Sequence, residues 1–185
     1  MIEATALRKG AVFELGSDLF KVLEYSHTKI ARGGATVKVR VRNLRSGVIV
    51  EKTFSGNDRV QDVRLDHSEV EYLYQDGDLY YFMDTETFEQ PALSRDTVAD
   101  IIPYLAEGLT AKLYTYNDEP IDLEIPVSVE LKVVEAEPGY AGDTAQGATK
   151  QVTVSTGLTV QTPLFIEVGD VIRIDTRSGQ YLTRV

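Results

Sequence analysis

Between Thr36 and Asn43 the chain alternates strictly between apolar and charged positions. Val37, Val39 and Val41 fall on one side, and Lys38, Arg40 and Arg42 on the other. Period two with β-branched residues predicts a half-buried strand whose wet face is a row of cations. The stretch before it, from Lys21 to Thr28, reads as a second strand. Between the two sits a short loop that includes Lys29, Arg32, Gly33 and Gly34. The pair predicts a hairpin that holds one guanidinium at its tip above a basic strand, which suits reaching into a polyanion. A surface hairpin with a solvated arginine is the plainer reading, and on these residues alone the preferred one.

The same alternation, cut by turn residues, recurs along the chain. Val12–Leu15, Leu19–Glu24 and Val48–Phe54 read as strands, with turns at Gly16–Asp18 and Arg45–Gly47. Val70–Tyr74 and Leu79–Met83 flank Asp76-Gly77, a strong hairpin signal. Phe88–Leu93 reads as another strand. The one plausible helix runs from Asp96 to Leu105 with Ser94 as its N-cap, and Pro103 inside it predicts a short or kinked element. Leu109–Tyr116 and Ile121–Ile125 follow. Val127–Val134, Lys150–Ser155, Leu158–Phe165, Val171–Ile174 and Gln180–Arg184 complete the series. Many short strands with glycine turns predict an all-β chain of three consecutive small barrels. The first, residues 1–64, is SH3-like. The second and third, residues 65–126 and 127–185, are of OB type. Three barrels in a row predict an elongated molecule.

Charge sharpens this picture. Residues 1–64 hold 12 Lys and Arg against 7 Asp and Glu, a net of +5, whereas residues 65–185 hold 7 against 22, a net of −15. A basic first third on an acidic remainder points to a nucleic acid met by the basic part alone. The acidic surfaces, including Glu69, Glu71, Asp76 and Asp78, read as solvated faces. With no cysteine, disulfides, thiol nucleophiles and thiolate metal sites are excluded. Neither a signal peptide nor a membrane span is evident, so a soluble, cytoplasmic protein with no membrane partner is expected.

No catalytic, cofactor or metal constellation stands out. The two histidines, His27 and His67, are too few for a zinc site, and no nucleophile elbow, Walker loop or dinucleotide fingerprint occurs. His27, beside the basic hairpin, is either an RNA contact or an ordinary polar strand position. Tyr72, Tyr74, Tyr80 and Tyr81 lie among acidic neighbours and read mostly as core rather than as a base-stacking platform.

In joint order and spacing, a set of short motifs resembles bacterial elongation factor P along essentially the whole chain. They are Lys29–Ala35, Val41–Leu44 with Gly47, Val50–Phe54, Tyr72–Tyr74, Thr87–Gln90, Gly142–Thr144, Ser155–Gly157, Pro163–Phe165 and Asp175–Tyr181. Val152 and Thr162 depart from the family's C-terminal pattern and read as packing changes. The resemblance implies a non-enzymatic, monomeric translation factor of tRNA-like shape, with a KOW-like first domain and no cofactor. Its partners would be both ribosomal subunits and peptidyl-tRNA, and its effect the relief of stalling at consecutive prolines. By the same resemblance Arg32, Gly33, Gly34 and Lys29 would meet the CCA end near the peptidyl transferase centre. Lys38, Arg40 and Arg42 would meet the tRNA backbone, and Gly142, Asp143 and Thr144 would face the small subunit. Arg32 would be the position for a modifying enzyme, though not for lysylation, since it has no primary amine. A paralogous elongation factor P-like protein and a general RNA-binding module are the alternatives.

Overall fold

The computed structural model describes residues 1–29, 35–139 and 147–185. Its strands are β1 (Ile2–Glu3), β2 (Val12–Leu15), β3 (Asp18–Lys29), β4 (Ala35–Asn43), β5 (Ile49–Ser55), β6 (Arg59–Asp62), β7 (Asp66–Asp76), β8 (Leu79–Asp84), β9 (Ala92–Ser94), β10 (Thr110–Tyr116), β11 (Glu119–Glu124), β12 (Ser128–Ala136), β13 (Thr149–Val154), β14 (Thr159–Pro163), β15 (Val171–Asp175) and β16 (Tyr181–Arg184). They form three barrel-like sheets, ordered β1-β6-β2-β3-β4-β5, β11-β10-β7-β8-β9 and β14-β13-β12-β15-β16. The all-β class expected from the alternation is what the chain adopts.

In the first sheet Val37, Val39 and Val41 are fully buried, as their period requires. They pack with Phe13, Phe20, Val22, Phe54 and Val60. The Phe13 ring lies 5.7 Å from Phe20 and meets Phe54 edge-on at 6.0 Å. Two strands, β1 and β6, escape a sequence reading. They are two and four residues long, and in β6 only Val60 is buried. Their pairing, not their composition, makes them strands.

The middle sheet carries two corrections. Residues 88–91 do not form the expected strand, and only Ala92–Ser94 do. The Asp84 carboxylate accepts the backbone N–H groups of Glu86 and Thr87, both at 2.9 Å. That turn forces Phe88 to φ +61° with its ring exposed. The helix shrinks to α1 (Arg95–Val98), followed by a 3-10 turn at Ile102–Tyr104 with Pro103 in its first positions. The Asp76–Asp78 hairpin turn forms, with Gly77 at φ +58°. Of the four tyrosines, Tyr72 and Tyr80 are buried. Tyr74 and Tyr81 instead stack on the outer face, 4.9 Å apart, and Tyr74 is 50% exposed.

In compactness the chain does not follow sequence order. One unit comprises 1–68, 93–97 and 113–123, and the other 69–92, 98–112 and 124–185. In the first, Val12, Leu19 and Leu44 form a small core with Ile121. In the second, Tyr104 joins the core of Val129, Leu131, Val133, Ile172 and Ile174. There the Thr156 hydroxyl donates to the Pro103 carbonyl at 2.5 Å.

Candidate nucleic-acid interface

The basic hairpin is built from β3 and β4, paired antiparallel from Phe20–Asn43 up to Lys29–Ala35. The segment 30–34 therefore joins the two strand ends directly. Arg32, Gly33 and Gly34 lie outside the described residues, and so does the Lys29 side chain. Gly142, Asp143 and Thr144 lie outside them too. Ala35, the first residue of β4, is tightly packed. Gly56 donates its N–H to the Ala35 carbonyl at 2.7 Å, and a Cβ on Gly56 would come within 2.8 Å of the Ala35 Cβ. No sequence signal pointed to Gly56, because the close approach depends on how β5 pairs with β4.

Lys38 and Arg40 stand exposed on the face opposite the valines. Arg42, the third cation of the row, is only half-exposed. The stripe is also less positive than its sequence implies. Register places Arg40 directly between Glu24 on β3 and Glu51 on β5. The Arg40 guanidinium lies 3.2 Å from Glu24 Oε1, and Lys38 Nζ lies 4.0 Å from Glu51 Oε1. All four side chains are more than half exposed, so these pairs are weak and a phosphate can displace the carboxylates. Sequence reasoning missed Glu24 and Glu51 because only the strand register brings them beside the cations.

Lys21 and Lys52 of this sheet, and Arg8 before it, are committed to structural contacts. Lys21 reaches Asp122 at 2.6 Å. Lys52 lies 4.4 Å above the Phe20 ring centre. Arg8 donates to the Thr5 and Leu7 carbonyls and lies 5.2 Å above the Tyr25 ring. His27 is exposed, its ring 6.5 Å from that of Tyr25.

Elsewhere the perturbed groups are structural. Hydrogen bonds from the Arg177 guanidinium hold the Asp175 carboxyl down at about 2. Burial, then the neighbouring Tyr80, pushes the Tyr72 phenol up. Among the described residues no group of three or more histidines and carboxylates is placed to hold a metal ion. No helix among them is long and apolar enough to cross a membrane.

Three family models match the chain in succession: the elongation factor P KOW-like domain over residues 3–60, the elongation factor P OB domain over 65–123, and the elongation factor P C-terminal domain over 129–184. The chain belongs to the elongation factor P family. It is 47% identical over 184 residues to elongation factor P of Moorella thermoacetica, all of each chain being covered. It is also 47% identical over 185 residues, again with full coverage of both, to elongation factor P of a Thermoanaerobacter species. Among solved structures, the eukaryotic translation initiation factor 5A from Methanococcus jannaschii is 19% identical, with 68% of this chain and 92% of that chain covered at a TM-score of 0.44. Family membership makes this chain a translation elongation factor with KOW-like and OB-type domains.

Several motifs that carry the family likeness do fold-level work. The Asn43 carboxamide oxygen accepts the backbone N–H groups of Arg45 at 2.9 Å and Ser46 at 3.1 Å. Asp175 and Arg177 close the β15–β16 turn through bonds of 2.7 to 3.1 Å.

Proposed function

We propose that this translation factor binds the ribosome beside peptidyl-tRNA and promotes peptide-bond formation at consecutive prolines. The observation that carries the reading is the exposed cationic face of β4, which runs directly into the loop bearing Arg32, in a chain of this family. Lys38, Arg40 and Arg42 would bind acceptor-arm phosphates, displacing Glu24 and Glu51 as they do so. Arg32, with Gly33, Gly34 and Lys29, would approach the CCA end, where glycine permits a close backbone path. Peptide-bond formation is the ribosome's own chemistry. The factor would lower its barrier by holding peptidyl-tRNA in a productive geometry. Proline needs such help because its ring locks φ.

Under this reading the chain acts as a cytoplasmic monomer without cofactor or catalytic residue. Residues 1–64, 65–126 and 127–185 serve as three domains. Gly142, Asp143 and Thr144 face the small subunit, and Arg32 is the residue a modifying enzyme would address. The test is Arg32→Ala in a reconstituted translation system that makes a Pro-Pro-Pro peptide. A folded variant that loses most of the stimulation is expected. Undiminished stimulation refutes the role of Arg32.

A further inference from the structure

For Arg32 to act on peptidyl-tRNA as proposed, the strands that carry it must be held in place, and the contacts at the far end of β3 hold them. Lys21, near the start of β3, meets Asp122 at 2.6 Å across 101 residues of chain. The Asp122 side chain is only 9% exposed, and its second oxygen accepts the Leu123 N–H at 3.0 Å. The Lys21 ammonium also lies 5.9 Å from the Tyr114 ring centre.

The turn after β4 makes the matching contacts on its side. Leu44, 2% exposed, packs with Val12, Leu19 and Ile121, against Val63, Leu65 and Tyr116. Arg45 bridges the Ser17 carbonyl at 3.0 Å and the Glu119 carboxylate at 3.4 Å. Gly47 sits at φ +73°, and a Cβ there would lie 2.9 Å from the Asp96 carbonyl oxygen. All these residues belong to one compact unit.

We propose that Lys21–Asp122 and the Asn43–Gly47 turn are a registering clamp, which fixes the basic sheet to residues 113–123 so that the Arg32 loop is presented from one body. Adhesion alone would need only the apolar residues. With Asp122 buried and Lys21 28% exposed, the ion pair adds little net stability, because desolvation of the carboxylate offsets its attraction. What it adds is a unique alignment, since any other leaves a buried carboxylate unpaired. Leverage makes that alignment matter. At about 3.3 Å per residue, Lys29 lies about 26 Å along β3 from Lys21. A tilt of about 10° at the clamp would then move the strand end by about 5 Å, when a shift of about 1 Å can cost about a hundredfold in rate.

The clamp rests on the proposed function only for its purpose, so two readouts separate the claims. The first is a set of backbone residual dipolar couplings of the full chain, comparing the alignment of residues 1–68 with that of 113–123. The second is stimulation of Pro-Pro-Pro synthesis. Wild type should fit one alignment tensor across both segments. Asp122→Ala, still held together by Leu44 and Ile121, should need a separate tensor for each and lose most of the stimulation. Asp122→Glu, which keeps the charge, should restore both. If Asp122→Ala does not fold, Lys21→Met with Asp122→Leu, which leaves neither charge nor hydrogen bond between the two positions, replaces it, with the same outcome expected. A single tensor in the folded variant overturns the clamp, and so do separate tensors with full stimulation. If the wild type itself does not stimulate, the proposed function falls while the couplings still decide the clamp.

Discussion

Removing two carboxylates should strengthen binding to tRNA. Glu24 and Glu51 lie beside Arg40 and Lys38 at 3.2 and 4.0 Å, so a phosphate must compete with them. With Lys38, Arg40 and Arg42 counted, the face carries three cations against two carboxylates, a net of +1. Glu24→Gln with Glu51→Gln raises that to +3. Each exposed pair is worth about 0.5 kcal/mol. Freeing both cations therefore contributes about 1 kcal/mol to phosphate binding, or about fivefold in Kd. The gain should shrink as salt rises and the Debye length falls to about 8 Å near physiological ionic strength. Fluorescence anisotropy with labelled tRNA, titrated at several salt concentrations, reads both effects. The double variant should bind tighter with a steeper salt dependence, and Lys38→Glu with Arg40→Glu should bind weaker with a shallower one. Unchanged affinity in the carboxylate variant, with the fold intact, would mean that phosphates do not lie on this face.

Two further outcomes concern the fold. Arg177→Ala should raise the Asp175 carboxyl from about 2 toward its ordinary value, as followed by 13C NMR titration. Because the folded value is depressed, that contact's contribution to stability is present above about pH 4 and lost as pH falls toward 2. The variant should therefore lose less stability than wild type across that window, and equal acid sensitivity would contradict the assignment. Phe13→Ala removes a fully buried ring wedged against Phe20 and Phe54. It should cost about 3–5 kcal/mol in urea unfolding, and a loss below about 1 kcal/mol would place Phe13 outside the core.

The alternation at Val37, Val39 and Val41 was legible because a strand's two faces repeat every two residues, whatever the strand pairs with. The β3–β4 strands were legible from the same repeat, the Asp76–Asp78 turn from its Asp-Gly pair, and the charge split from the residue count alone. The Phe88 turn was not legible. It depends on the Asp84 carboxylate capturing Glu86 and Thr87, a bond that competes with the strand propensity of Phe88–Leu93. Motif likeness gave the family, but it could not separate residues offered to a partner from residues that hold the fold. Asn43, Leu44 and Gly47 proved to be a turn seated on residues about 50 to 75 positions away.

Local spacing along this chain thus decided which residues face inward and where the chain turns. Tertiary structure decided what stands beside each cation: Glu24 and Glu51 around β4, and Asp122 against Lys21. Strand register and long-range burial set those neighbours, and neither leaves a periodic trace in the order of residues.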